Sequence, residues 1–331
     1  MEETELVIVG AGPTGMFATF CAGLRDIKSI TLEALDTYGG QITQLYPQKM
    51  VYDVQAIPRI NATQLSKQMF EQAEMFKGRI EFSSEVTDII PSEEGKFDVE
   101  VNGEKRYRCR AVLLCAGVGN FEPNKVGAKG EDTYSGKGVY YNIKNPEEFR
   151  NRKVLVVGGG DSAFDYAMQL FDFASSITIV QHNETLKAVE EDVETVRKNQ
   201  KCSVLLNKNV EKIIGDGAAV KQAMIKDTVT GEEKVLDVDS VIIAIGYKVH
   251  PEAMKSIKLE TSGRYIKVDE DYRTNVEGIY AAGDIANVKD EPKYALLAVG
   301  GAEAYIAVNS IKKYISPKSS LFGGHSSSLN L

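Results

Sequence analysis

Apolar residues along the chain fall into two kinds of run, and their alternation sets the fold class. Short unbroken runs stop at or near glycine: Leu6-Val7-Ile8-Val9 before Gly10, Ala111-Val112-Leu113-Leu114 ahead of Gly117, Val154-Leu155-Val156-Val157 before Gly158, and Val241-Ile242-Ile243-Ala244-Ile245 before Gly246. Runs that are apolar at every position read as strands buried on both faces, as in a parallel sheet. Helical patterns lie between them. Leu65, Met69, Ala73 and Phe76 recur at three- and four-residue steps and predict an amphipathic helix over 61–76, capped by Asn61 or Thr63. Further helices are predicted over 162–173 and 294–314. Alternating or β-branched stretches at 80–82, 86–90, 97–101 and 107–110 predict short strands, with turns at 93–96 and Asn102-Gly103. A further sheet element is expected to run from Val204 through 213–214 and 223–226, with a turn at Thr230-Gly231. The stretch 118–138, rich in Gly, Pro, Asn and Lys, reads as a connection between domains. The whole pattern predicts an α/β chain.

The turns after two of the apolar runs give that architecture a chemistry. Gly10-Ala11-Gly12-Pro13-Thr14-Gly15 is a G-x-G-x-x-G turn leading from a strand into a helix. Gly10 permits the tight turn, Gly12 keeps side chains away from a pyrophosphate, and Gly15 lets the helix pack on the strand. The phosphates would rest on free N–H groups at the positive end of a helix dipole. The second strand ends at Glu33, 23 residues past Gly10, placed to accept hydrogen bonds from an adenosine ribose. A second unit starts at Gly158-Gly159-Gly160-Asp161-Ser162-Ala163, a G-x-G-x-x-A turn, and its next strand, 177–180, ends at Gln181-His182-Asn183. Neither the acid that reads an NAD ribose nor the Arg that reads an NADP phosphate stands there. His182 and Lys187 are the candidate contacts to a 2′-phosphate; a solvated His beside a loop accounts for His182 equally well. Two dinucleotide units suit an enzyme that brings a flavin and a nicotinamide together for hydride transfer.

Two loops add candidate flavin contacts. Gly39-Gly40-Gln41 falls at the carboxyl end of a parallel strand, where doubly wound sheets bind ligands. The sequel Tyr46-Pro47-Gln48-Lys49-Met50-Val51-Tyr52-Asp53 has the aromatic and polar groups to wall a planar ring, or holds two core tyrosines in an ordinary loop. Near the other end, Ile279-Tyr280-Ala281-Ala282-Gly283-Asp284 is an apolar strand ending in small residues and one carboxylate able to accept a hydroxyl hydrogen bond.

Composition narrows the rest. At 331 residues the chain exceeds one ordinary core, so two domains are expected. A net charge of −8 argues against general nucleic-acid binding, and no apolar run reaches the ~18 residues of a membrane span. The chain enters its first strand without a signal peptide, so a cytoplasmic protein is expected. Cys21, Cys109, Cys115 and Cys202 form neither C-x-x-C nor a metal pattern and read as reduced, mostly buried thiols.

The two glycine turns with Glu33, together with the 274–284 segment, resemble the flavoproteins with two dinucleotide-binding domains that include thioredoxin reductases. Where those enzymes carry a redox C-x-x-C, this chain has Tyr140-Tyr141-Asn142-Ile143-Lys144-Asn145. A closer resemblance is to the ferredoxin–NADP⁺ reductases of thioredoxin-reductase type, carried by Gly39-Gly40-Gln41, Leu45 to Lys49, Tyr52-Asp53-Val54, Cys115-Ala116-Gly117 and the tail His325-Ser326-Ser327-Ser328-Leu329. That resemblance implies two Rossmann-like domains: FAD in 1–117 and 247–331, and NAD(P)H in 118–246. It also implies a homodimer in which Tyr46 stacks on one face of the flavin ring, while His325, on the C-terminal extension of the partner subunit, covers the other. Relatives usually carry His-Arg-Arg where this chain has Gln181-His182-Asn183, so NAD(H) is a possible substrate beside NADP(H).

The expected activity is electron exchange between NAD(P)H and ferredoxin through FAD, with no side-chain acid or base required at flavin N5. The residues expected to hold FAD are Gly10, Gly12, Pro13, Thr14, Gly15, Glu33, Gly40, Gln41, Tyr46, Asp53, Asp284, His325 and Ser326. Those for NAD(P)H are Gly158, Gly160, Asp161, Ser162, Ala163 and His182. No metal is expected. Two rivals stand: an oxidase or diaphorase that reduces oxygen or quinones, and a non-catalytic flavin redox sensor.

Overall fold

The computed structural model describes residues 1–45, 47, 49–76, 78–117, 122–248, 254–288 and 292–320. It divides the chain into two compact units, Met1–Asn120 with Val249–Leu331, and Phe121–Lys248.

The first unit is built on a five-stranded parallel sheet in the order Ile279–Ala281, Ala111–Leu114, Leu6–Val9, Ser29–Leu32, Arg79–Glu81. Side chains alternate across each strand, so both faces of Leu6–Val9 are buried and each needs its own cover. Leu6 and Ile8 pack with Ala18, Cys21 and Ala22 of the Pro13–Leu24 helix and with Ala304, Ala307, Val308 and Ile311 of the Leu297–Ile315 helix. Val7 and Val9 face the opposite way, toward Phe97, Val99 and Tyr107 of a four-stranded layer. That layer is an antiparallel meander of Val86–Pro91, Phe97–Val101 and Glu104–Cys109, with Glu2–Glu3 added in parallel at its edge.

The second unit repeats the plan. Its parallel sheet runs Val139–Tyr140, Ser240–Ile243, Lys153–Val157, Ser176–Val180, Cys202–Leu205. Val154 and Val156 pack under the Asp161–Gln169 and Glu190–Lys198 helices, while Leu155 and Val157 meet the antiparallel strands Lys208–Gly215, Val220–Asp227 and Glu233–Asp237.

Several expected boundaries move for identifiable reasons. The helix expected over 162–173 is Asp161–Gln169, because the amides of Phe171 and Phe173 turn back to carbonyls three residues earlier and close the end. The 61–76 helix is Ala62–Glu74, and its cap is Asn61, whose side chain accepts from Thr63 N–H at 3.0 Å. The last helix begins at Leu297, three residues later than the pattern placed it. Residue 204 belongs to the parallel sheet and not to the antiparallel layer. The stretch 118–138 is more than a linker where it is described, since Ala128 and Tyr134 are buried in the core of the second unit. Cys115 lies one residue beyond its strand.

Candidate functional site

In the first unit, the glycine turn is fixed by what a side chain would strike. Gly10 has φ +101°, and a Cβ there would stand 2.7 Å from the Cys115 carbonyl oxygen. A Cβ on Gly15 would fall 1.8 Å from the Gly10 carbonyl oxygen, so that position locks the helix onto the turn. Gly12 is different. A Cβ there would meet only the Gly40 Cα, at 3.9 Å, so the space in front of it is open. Gly12 is the N-cap of the Pro13–Leu24 helix and offers no side-chain cap, and Pro13 occupies the first turn, where a missing N–H costs nothing. Gly40 has φ +53° and a backbone facing Gly12, with a built Cβ 3.0 Å from the Gly12 Cα.

Glu33 is buried at the end of its strand. Its Oε2 accepts from Ala11 N–H at 2.7 Å and its Oε1 from Leu35 N–H at 2.9 Å, so the acid braces the glycine turn itself. Burial pushes its carboxyl above the usual range, and the backbone N–H groups oppose that shift. With backbone N–H groups of Ala11, Leu35 and Ala34 acting on it, the carboxylate still has lone-pair capacity for a ribose hydroxyl. Across the turn, Gln41 Nε2 donates to Asp284 Oδ2 at 2.7 Å, joining residues 243 apart in sequence. Gly283 and Gly300 both press on Thr14: built Cβ atoms would come within 2.6 and 2.5 Å of its Oγ1. The Leu297–Ile315 helix has no side-chain cap, so its first-turn amides remain available to an acceptor.

These contacts bring Gly10, Gly12, Pro13, Thr14, Gly15, Glu33, Gly40, Gln41 and Asp284 into one place. The residues fit a dinucleotide: an open glycine cradle at a helix N-terminus, a buried acid at the end of the second strand, and a carboxylate beside Gln41. Asp53 is exposed, in the loop between the Met50–Val51 and Ile60–Asn61 strands. Tyr52 is 68% exposed, which removes it from the core. Tyr46, His325 and Ser326 lie outside the described residues. Two residues of this neighbourhood are not apparent from the sequence pattern, Lys293 and Glu303. Glu303 gives a signal in retrospect: it is an acid on the buried stripe Gly300, Ala304, Ala307, Ile311 of an otherwise apolar helix face.

In the second unit the same device recurs. Gly158 has φ +142°, with a built Cβ 2.4 Å from the Ala244 carbonyl oxygen, and Ala163 packs beneath it. Gly160, the N-cap of the Asp161–Gln169 helix, has nothing within 4 Å of a built Cβ. A Cβ on Gly159 would strike Gln181, whose side chain fills the space under the turn and is 5% exposed. Gln181 Nε2 donates to Asn183 Oδ1 at 2.8 Å, and that oxygen also accepts from Thr185 N–H at 3.2 Å. Both amides are thus engaged in shaping the loop. His182 and Ser162 are exposed, Lys187 N–H donates to the Gly159 carbonyl, and Asp161 Oδ1 accepts from Val189 N–H at 2.9 Å.

All four cysteines are free, and three are buried. Burial pushes the thiols of Cys21 and Cys109 up to about 12, that of Cys202 to about 11, and that of Cys115 well above the ordinary range. Among the described residues no group of three or more His, Cys, Asp or Glu could hold a metal, and no helix is long and apolar enough to cross a membrane.

Two parallel-sheet units, each with a glycine cradle at a helix N-terminus, define a two-dinucleotide oxidoreductase fold. The chain belongs to the pyridine nucleotide-disulphide oxidoreductase family, whose model matches residues 4–304. Among its relatives, the ferredoxin–NADP reductase of Picrophilus torridus is 52% identical over 333 residues, covering 100% of both chains. That of Sulfurisphaera tokodaii is 42% identical over 330 residues, covering 100% of this chain and 99% of the relative. Among solved structures, the thioredoxin reductase of T. acidophilum superposes with a TM-score of 0.81 at 27% identity, covering 95% of this chain and 99% of that one. The Lactococcus lactis thioredoxin reductase gives 0.82 at 24% identity, with the same coverage, and bears on the fold alone.

Proposed function

We propose that this chain is an FAD-dependent ferredoxin–NADP reductase, moving electrons between NAD(P)H and ferredoxin. The observation that carries the reading is the combination, in one chain, of two glycine cradles with four cysteines that are all free, three of them buried and none in C-x-x-C spacing. Without a thiolate carrier, electrons reach the acceptor from the flavin itself. FAD, when bound, takes hydride as an electron pair at flavin N5 and releases electrons singly to a one-electron acceptor.

The residues of the chain bind and orient. Gly10, Gly12, Pro13, Thr14 and Gly15 would cradle the FAD pyrophosphate, Glu33 would accept from the adenosine ribose, and Gly40, Gln41 and Asp284 would hold the ribityl chain; Asp53, exposed in its loop, is the remaining candidate contact. Tyr46, outside the described residues, is the residue that the family resemblance would set against one face of the ring. Gly158, Gly160, Asp161, Ser162 and Ala163 would receive the nicotinamide dinucleotide, with the exposed His182 the candidate contact to its adenosine half. No side chain is required as proton donor or acceptor, so catalysis rests on placement.

A homodimer with His325 and Ser326 reaching a partner's flavin is supported by chain length. Ser320 is held by Arg25, whose Nη2 donates to its carbonyl at 2.5 Å, past the end of the Leu297–Ile315 helix remote from Gly283. That helix is roughly 28 Å long at 1.5 Å per residue. His325 lies five residues beyond Ser320, a reach of roughly 18 Å fully extended, so the flavin of a second copy is the better target. Ala298, Ala302 and Ile306, exposed at four-residue steps beside half-buried Phe17 and Phe20, give that copy an apolar face to cover. Free thiols throughout suit the cytoplasm.

The test is stopped-flow mixing of the FAD-loaded protein with NADPH or NADH, then with ferredoxin or oxygen. Rapid flavin bleaching followed by rapid return with ferredoxin is expected. Return with oxygen or quinone alone would make it an oxidase, and bleaching with no fast return would make it a sensor.

A further inference from the structure

Two ionisable side chains are buried in the first unit beside Gly283-Asp284, outside the glycine cradle. Lys293 stands in the segment ahead of the Leu297–Ile315 helix and Glu303 on that helix's second turn; each side chain is 7% exposed. Lys293 Nζ donates to Glu303 Oε1 at 2.6 Å. Glu303 Oε2 accepts from Gly283 N–H at 2.7 Å. One carboxylate therefore fixes both the segment entering the helix and the glycine that presents Asp284, and Asp284 in turn meets Gln41.

Packing does not call for charge here. Replacing a buried ion pair with apolar groups is often neutral or stabilising, so the pair is weak evidence of a purely structural role. Its field does extend over the neighbourhood: the Glu303 charge helps raise the Cys115 thiol and the Tyr272 phenol, and Cys115 supplies the carbonyl that abuts Gly10. Asp284 adds a second carboxylate whose charge acts on Glu303, and Lys293 is the cation paired with Glu303.

We propose that Lys293 and Glu303 are positioning residues that hold Gly283 and Asp284 in their flavin-binding arrangement and balance the charge beside the flavin, so that they help set its reduction potential. The proposal rests on the reading of this site as an FAD site. A lone carboxylate near the flavin disfavours adding electrons, and a lone cation favours it.

The experiment measures the midpoint potential of bound FAD at pH 8.5 in wild type, Lys293→Met, Lys293→Arg, Glu303→Gln and the Lys293→Met/Glu303→Gln double variant. Glu303→Gln keeps an oxygen for Gly283 N–H while removing the charge, which separates charge from position. The expected result is a shift to lower potential in Lys293→Met and to higher potential in Glu303→Gln. Each should change the oxidised-to-reduced ratio at least tenfold, about 30 mV for a two-electron couple. The double variant should return close to wild type, and Lys293→Arg should match it. If Lys293→Met does not fold, the Glu303→Gln shift and its reversal in the double variant decide the same question. Single-variant shifts that change the oxidised-to-reduced ratio by less than tenfold, or shifts of the same sign, overturn the proposal. A wild-type protein that takes up no FAD overturns the reading beneath it instead.

Discussion

Gly12 and Gly10 look alike in the motif, yet their surroundings make different demands. At Gly12 the space in front is open, with the Gly40 backbone as the far wall, so a valine should fold normally and fill the place of the pyrophosphate. Gly12→Val should therefore keep its circular dichroism spectrum and lose bound FAD, read as the absorbance ratio at 450 and 280 nm; full flavin content in that variant would contradict the site. Gly10→Val should fail earlier, because it meets both a left-handed φ and the Cys115 carbonyl. The thiols give a second test at this scale. Burial disfavours the thiolate, so labelling by a disulfide reagent at pH 8 should be far slower than for a free cysteine, and it should speed up as pH rises toward the raised values. Cys202, only partly buried and raised to about 11, should react first. A folded variant with all four cysteines changed to serine should retain ferredoxin reduction. The two glycine motifs and Glu33 were legible in the sequence because each is a local pattern of fixed spacing. The bond from Glu33 back to Ala11 was not, since nothing in spacing shows that the acid also braces the turn it follows.

At the scale of elements, the Leu297–Ile315 helix and the Gln181–Lys187 loop carry the adjustments. Gly300 and Gly283 converge on Thr14, so Gly300→Ala overfills a tight crossing; by the usual cost of overpacking it should lose about 1–3 kcal/mol, measured by urea unfolding of the FAD-loaded protein. Hydrophobic periodicity located this helix but began it too early, because Tyr294 and Leu296 share its apolar character while lying outside it, exposed in an extended segment. The 162–173 helix was overrun for a similar reason: Leu170 and Ala174 continue the apolar stripe into a turn. In the second loop, Gln181 and Asn183 are spent on each other and on Thr185, leaving His182 and Lys187 as the candidate contacts to a 2′-phosphate, neither offering a planar guanidinium fork. Discrimination between NADPH and NADH should therefore stay below about a hundredfold, roughly 2.7 kcal/mol, in kcat/KM. Lys187→Ala should lower kcat/KM for NADPH more than for NADH. Equal loss with both would remove Lys187 from the 2′-phosphate.

For the whole molecule, the two units are variations on one plan: a parallel sheet, helices over one face, antiparallel strands over the other, and a glycine turn at a helix N-terminus. The plan was readable from apolar runs ending in glycine, whereas membership of the 122–138 stretch in the second core was not, because its buried Ala128 and Tyr134 are isolated among Gly, Lys and Asp. Truncation before Gly323 should leave FAD bound while altering the flavin spectrum and the nicotinamide KM, and mixing the truncated chain with one carrying Gly12→Val, which has a tail but no FAD, should return the spectrum and KM toward wild type if tails act on partner flavins. The central claim, that electrons pass from a nicotinamide through FAD to ferredoxin without any thiol, is tested most directly by single-turnover stopped flow of the four-serine variant. The account predicts that NADPH bleaches its flavin and that ferredoxin restores the 450 nm absorbance at the wild-type rate. Flavin that bleaches normally but no longer passes electrons to ferredoxin would contradict it.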